Sequence, residues 1–467
     1  MDSVFGIDAV LLSRIQFAFT IGFHIVFPAF SIGLSAFIAT LEVTWLATRD
    51  DHLHELARFW TKIFAVSFAM GVVSGIVMEY QIGTNWSRFA QVLGNVLAPL
   101  FSYEVLTAFF LEASFLGLML FGWKRFPPWL HTLASVFVAF GTALSGFWIL
   151  AANSWMQTPA GFALKDGVTY PVSWFQIIFN PSFPYRFAHM MIATYITTSV
   201  VVAAAGARYL LQRRHERHAM TMLKMGLGML AVFAPIQALV GDMHGLNTLE
   251  HQPAKIAAIE AHWEDTGPAD LVLFAWPDLQ AERNRAELAI PHLGSLILTH
   301  DWYGRFAGLR DFPRDERPPV APVFFAFRAM VGLGLAMIAL GWWGVWLLWR
   351  GRIAAHRGYL RLLSVCWPIG FIALLAGWVV TEVGRQPWIA YGVLRTADAM
   401  SPVHAGQVLV SLALFVLVYF VVFSIGIWYI ARMIRGKGPE ATLPGPETLP
   451  NRPLAGGQPD GKEAVPT

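Results

Sequence analysis

The sequence predicts an all-α membrane protein of about nine transmembrane helices, with the N-terminus outside and the C-terminus cytoplasmic. Three observations carry this. Of the 467 residues, 56% are hydrophobic and only 13% charged, about half the charge of a soluble globular domain. The apolar residues form runs of roughly twenty or more, the length at which a helix crosses a bilayer. The basic residues collect on alternate connections, as the positive-inside rule requires of a chain threaded back and forth.

The apolar runs fall at 15–41, 59–82, 97–121, 129–152, 187–207, 225–241, 322–349, 362–381 and 405–431. The residues before the first run lack the basic n-region and cleavage site of a signal peptide, so that run is read as a retained helix. One set of connections carries Arg49, Arg58, Lys124, Arg213, Arg217, Arg350, Arg357, Arg432 and Arg435 among others, and the opposite set far fewer. An odd number of spans with this bias places the basic side, and the C-terminus, in the cytoplasm. Residues 1–241 are thus read as helices one to six, 242–321 as one long outer loop, 322–435 as helices seven to nine, and 436–467, rich in Pro and Gly, as a disordered cytoplasmic tail. Within the outer loop, 253–264 (PAKIAAIEAHWE) repeats Ile256, Ile259, Glu260 and Trp263 at helical spacing and predicts an ordered interfacial helix.

Composition also excludes. A net charge of +3 gives no case for nucleic acid, and a single cysteine, Cys366, allows neither a disulfide nor a thiolate metal cluster within the chain. No internal repeat or broken-helix pair supports a secondary transporter.

An ionisable group in the bilayer costs about 2.5–3.5 kcal/mol on insertion scales, so each one within a span is a candidate functional residue. His24 lies inside the first run without a charged neighbour on its helix. As a lone histidine it reads more readily as hydrogen-bonded core than as a metal ligand. His189 opens the fifth run and Met330 the seventh, and Glu382 closes the eighth; with His24, these place four possible iron ligands at one depth. His and Met together are an axial pair for low-spin haem, whereas single ligation leaves iron an open position for O2. His131 and His404 stand beside prolines at helix starts, where solvated or capping roles are expected. Glu104 and Glu112, eight residues and about 12 Å apart along the third run, suit a proton relay, or a pair of protonated, hydrogen-bonded acids. Arg328, two residues from Met330, is a candidate partner for a haem propionate. Trp378 and Arg385 flank Glu382, either as an electron bridge and a propionate anchor or as interfacial anchors.

The strings that hold these residues resemble subunit I of the cytochrome bd quinol oxidases: LSRIQFAFTIGFHIVFP (12–28), MEYQIGTNW (78–86), FFLEASFLG (109–117), ILAANSWMQTP (149–159), RFAHM (186–190), PVFFAFRAMVG (322–332) and, most specific, GWVVTEVGRQPW (377–388). The resemblance implies low-spin haem b on His189 and Met330. It implies two high-spin haems on His24 and Glu382: a haem b and a haem d, or a second haem b in place of haem d. It further implies a proton path through Glu104 and Glu112, and quinol binding at Lys255 and Glu260. The activity implied is quinol oxidation at the outer face and reduction of O2 to water in a bacterial inner membrane, with proton motive force from vectorial proton uptake without pumping. The partners implied are subunit II and a small single-helix accessory subunit. The short stretch between Pro291 and Pro322 resembles the short-quinol-loop branch, which includes the cyanide-insensitive oxidases.

Overall fold

The first apolar run becomes α1 (Ala9–Thr48), started by the Asp8 carboxylate, which accepts from the Leu11 amide at 2.7 Å. At 1.5 Å per residue its 40 residues extend about 60 Å, well beyond a hydrocarbon core of about 30 Å. Arg49, in the left-handed region, and the N-cap Asp50 turn the chain into α2 (Asp51–Asn85). The third span is composite: α3 (Ser87–Tyr103), a π-helical segment (Glu104–Phe109) and α4 (Phe110–Phe121). Next come α5 (Pro128–Gln157), with proline in its first turn, the short α6 (Trp174–Ile178), α7 (Phe183–Leu211) and α8 (Glu216–His251). Beyond them lie α9 (Pro253–Glu260), an antiparallel hairpin (Leu271–Asp278 with Arg283–Ile290), α10 (Leu293–Thr299) and α11 (Val320–Trp349). The chain ends in α12 (Arg357–Val365), α13 (Ile369–Val383) and α14 (Ala405–Arg435). This is a computed structural model, and it describes residues 3–265, 267–436 and 438–439.

Among the described residues, eight spans are long and apolar enough to cross a membrane, and a ninth arises if α12 and α13, bent by 41°, count as one. The predicted span 362–381 is therefore broken. Pro368, at the start of α13, has no amide hydrogen to continue a ladder from α12. Two other expectations shift. The run at 225–241 belongs to a helix that continues to His251, so the first ten residues of the expected outer loop are helical. The helix within that loop ends at Glu260 instead of 264, because Ala261 takes the left-handed conformation. Nor is it interfacial: every residue of 254–260 is buried inside the protein. Of the expected tail at 436–467, residues 437 and 440–467 lie outside the described residues.

Lipid is as apolar as leucine, so helices associate here through close packing of small side chains and not through exclusion of water. α7 illustrates this with the run Val200–Ala207, buried throughout between α1 and α8. A Cβ on Gly33 of α1 would lie 2.6 Å from the Thr194 carbonyl of α7, so only glycine permits that approach. One end of the bundle gathers the end of α5, the start of α7, the end of α8, α9 and the end of α13, tied together through Gln157 and Gln252. The other end carries the α1–α2 and α4–α5 turns.

Candidate functional site

α5 places its last two turns against the end of α13. Asn153 donates to the Glu382 carboxylate at 2.9 Å and Gln157 at 3.2 Å, and Arg385, just past the end of α13, forms an ion pair with it. The Gln157 side-chain oxygen Oε1 in turn accepts from Lys255 Nζ of α9 at 2.7 Å. Lys255 is 3% exposed. Burial first, then the nearby Arg186 and Arg385, hold its pKa well below the usual lysine value. The sequence expected Lys255 on a loop and Glu382 on a span; the fold joins them through one glutamine.

His189 and Met330 approach this cluster from different helices. A Cβ on Gly241 of α8 would sit 3.3 Å from the His189 ring, and one on Gly377 of α13 would sit 2.9 Å from Met330 Sδ. His244 of α8 faces His189 with ring centroids 5.6 Å apart. Arg186, one turn before His189, interacts electrostatically with both Glu382 and Arg385. His24 lies apart, between α1 and α2, where Ser74 bonds its Nδ1 at 2.9 Å. That bond fixes the ring and leaves Nε2 uncommitted, the arrangement in which a second partner orients a ligating imidazole. Trp378 stands one turn before Glu382 on α13.

Several buried polar atoms in this region have no hydrogen-bond partner among the described residues: His189 Nδ1, His244 Nε2, Arg186 Nε, and Arg385 Nε and Nη1. A buried donor left unpaired costs about 1–3 kcal/mol, more when charged. Unsatisfied guanidinium donors beside an unpaired imidazole and a thioether match a haem, which brings carboxylates for the former and iron for the latter. The donor set fits the group.

Arg328 is placed differently from the propionate reading. Its Nη2 donates to Glu260 at 2.8 Å, its Nε to the Val272 carbonyl at 2.8 Å and its Nη1 to the Ile259 carbonyl at 3.2 Å. Its first commitment is therefore to α9 and the hairpin, which it ties to the helix bearing Met330.

Glu104 and Glu112 both face α5. Ser145 donates to Glu104 at 2.7 Å, and a Cβ on Gly141 would lie 2.7 Å from Glu112 Cγ. Eight residues of regular α-helix would leave the two about 80° apart around the axis. The π-helical turn between them uses i→i+5 bonds and more residues per turn, which brings both onto one face. His131 corrects the sequence reading: it is buried, not solvated, and bonded to Glu42 of α1. Glu42, Asn153 and Gln157 escaped sequence reasoning. Each lies just past the end of an apolar run, at 41 or 152, where a polar residue reads as an ordinary interfacial one.

Spans carrying imidazole, thioether and arginine into the membrane interior, with acids on a separate helix, define the class of polytopic membrane haem proteins. The family model described as "Cytochrome bd terminal oxidase subunit I" matches residues 12–438. Cytochrome bd ubiquinol oxidase subunit 1 of Bacillus subtilis is 36% identical over 444 residues, covering 92% of this chain and 94% of that protein. Cytochrome bd-II ubiquinol oxidase subunit 1 of Escherichia coli is 32% identical, covering 93% and 98%. The structure of bd oxidase from Geobacillus thermodenitrificans superposes with a TM-score of 0.85 at 33% identity, covering 92% of this chain and 98% of that one. The chain belongs to the cytochrome bd terminal oxidase subunit I family.

Proposed function

We propose that this chain is the haem-bearing subunit of a bacterial inner-membrane terminal oxidase that oxidises quinol at the outer face and reduces O2 to water. The observation that carries the reading is the pairing of two features on α5. One end of that helix bonds Glu382 in the cluster of unsatisfied cations, and its middle faces the acids Glu104 and Glu112. His189 and Met330 hold a low-spin haem b, and His24 and Glu382 two high-spin haems, b with d or b with b. Bound there, the haems supply one-electron transfer and an iron with an open position for O2.

The chain's own residues do the rest. Quinol binds beside α9, where Glu260 takes a hydroxyl proton and Lys255, its cationic form disfavoured by burial, has an amine able to take another. Arg328 fixes Glu260 to the helix of Met330, which keeps the donor close to the first electron acceptor. Arg385 and Arg186 neutralise the propionates, and Trp378 fills the space beside Glu382. Glu112 and then Glu104 bring protons from the cytoplasmic end. Quinol protons leave on one side and oxygen's protons arrive from the other, so charge separates without a pump, each charge storing about 2.3 kcal/mol per 100 mV. The family names of the relatives support quinol as donor, and the same kinship supports a subunit II partner, with room for a small single-helix accessory subunit.

Pyridine haemochrome analysis of the purified complex, with reduced spectra before and after CO, tests this. Haem b with a CO-reactive species is expected, and a distinct d band separates the two high-spin sets; a protein colourless in every redox state sinks the reading. Lys255→Ala removes the amine offered to quinol and leaves the buried Gln157 Oε1 without its donor, a loss of about 1–3 kcal/mol. It is expected to raise the quinol KM by about tenfold or more at constant haem content, measured by steady-state oxygen consumption. Loss of haem instead would make Lys255 structural.

A further inference from the structure

Glu42 on α1 and His131 on α5 are buried in the bundle, 0% and 3% exposed, and the mechanism above leaves them unused. His131 Nδ1 lies 2.8 Å from Glu42 Oε2, and Ser135 donates to Oε1 at 2.8 Å. His131 Nε2 lies 3.1 Å from the Met119 carbonyl. A carbonyl only accepts, so Nε2 carries a hydrogen. One further proton is then shared between Nδ1 and the carboxyl group. Imidazolium with carboxylate, and imidazole with carboxylic acid, satisfy the same bonds, so the pair can pass this proton across without breaking its geometry.

Its surroundings differ on its two sides. On one side Trp123 packs on His131, His54 of α2 lies between Trp123 and Trp45, and Arg58 of α2 sits over Trp123. This is the end with the α1–α2 and α4–α5 turns, cytoplasmic in the proposed orientation. On the other side α1 and α5 run antiparallel with matched polar rungs. Glu42 meets Ser135 and, seven residues further on each helix, Ser35 meets Thr142 at 2.9 Å. Gly141, beside Thr142, backs Glu112, and Ser145 holds Glu104. The rungs stand about 10 Å apart at 1.5 Å per residue, with the buried Ile38 and Val138 on the same faces between them, a gap that a proton crosses only through transient water.

We propose that the Glu42–His131 pair is the loading station of the proton route. The carboxyl group releases the shared proton towards Glu112, which leaves Nδ1 without a hydrogen; Nδ1 then takes up the next proton from the cytoplasmic side and passes it to Oε2, restoring the starting state. The inference rests on the oxidase reading. A cross-link alone between α1 and α5 needs no exchangeable proton, and this difference makes the two roles separable.

The test uses the purified complex carrying Glu42→Gln, whose amide can bond both His131 and Ser135 but cannot release a proton. Reduced and CO-bound spectra are recorded, and proton uptake is followed with a pH dye after the fully reduced enzyme meets O2. The expected result is unchanged spectra with proton uptake and turnover both slowed at least about tenfold, and substantial recovery in Glu42→Asp, since a positioned proton carrier contributes about 10² or more. Wild-type uptake in Glu42→Gln overturns the proposal. Should Glu42→Gln assemble without haem, His131→Gln is measured in the same way. Slowed uptake with intact haem supports the station, and loss of haem there too overturns it by making the pair a clamp for assembly. An unsubstituted complex that consumes no O2 would instead refute the oxidase reading itself.

Discussion

Met330→Leu is expected to abolish the low-spin haem signal in reduced-minus-oxidised spectra and to lower quinol oxidase turnover by about 100-fold or more, while the CO-reactive haem remains. The size of the effect follows from chemistry and not from packing. Leucine and methionine exchange in an apolar setting for less than about 1.5 kcal/mol, so the helix and its contact with Gly377 survive. Leucine has no thioether, and iron loses the axial ligand that raises its potential. Electrons from quinol then have no acceptor, although the haems proposed on His24 and Glu382 keep their ligands. A low-spin signal that persists at full height removes Met330 from the ligand set.

Glu112→Gln is expected to slow O2 reduction by about 100-fold with every haem band in place, the range in which a positioned proton donor usually contributes. The carboxamide fills the same space beside Gly141 and cannot carry a proton. Stopped-flow oxidation of the reduced enzyme locates the defect. Steps that move only electrons should proceed at the unaltered rate, and those that consume protons should lag. Normal turnover would take Glu112 off the route and leave Glu104 and its serine partner without a supply.

How much of this was legible in the sequence depended on the range of the interaction. Spans are local: a run of apolar residues must satisfy its backbone bonds within itself in lipid, so 129–152 and 405–431 mark helices that the structure places at Pro128–Gln157 and Ala405–Arg435. The break at Pro368 was readable in principle from one residue, but the apolar run continues across it and the hydropathy signal hides it. α9 was foreseen as a helix from its spacing and misplaced in depth, because its amphipathic pattern serves a protein interior as well as a membrane surface. The site residues split in the same way. His24, His189 and Glu382 stood out as rare polar donors within or at the end of an apolar run, whereas Met330, one of 16 methionines, drew attention only through its shared depth and the resemblance of the string that holds it. Lys255 meeting Glu382 through Gln157, Arg328 bonding Glu260, and Glu42 pairing with His131 depend on helices far apart in the chain, and no spacing rule within one segment encodes them.

The π-helical turn at Glu104–Phe109 carries a consequence for the inheritance of insertions and deletions. Deleting a single residue there would let the turn wind into ordinary helix, and the span would remain long enough and apolar enough to cross the bilayer. With seven residues instead of eight between the acids, ordinary helix would leave them only about 20° apart around the axis, so both would still face α5. The same loss within regular helix would instead swivel what lies on either side of it by about 100°, a lesion invisible to hydropathy and to membrane insertion that disconnects two halves of a conductor whose parts are all still present.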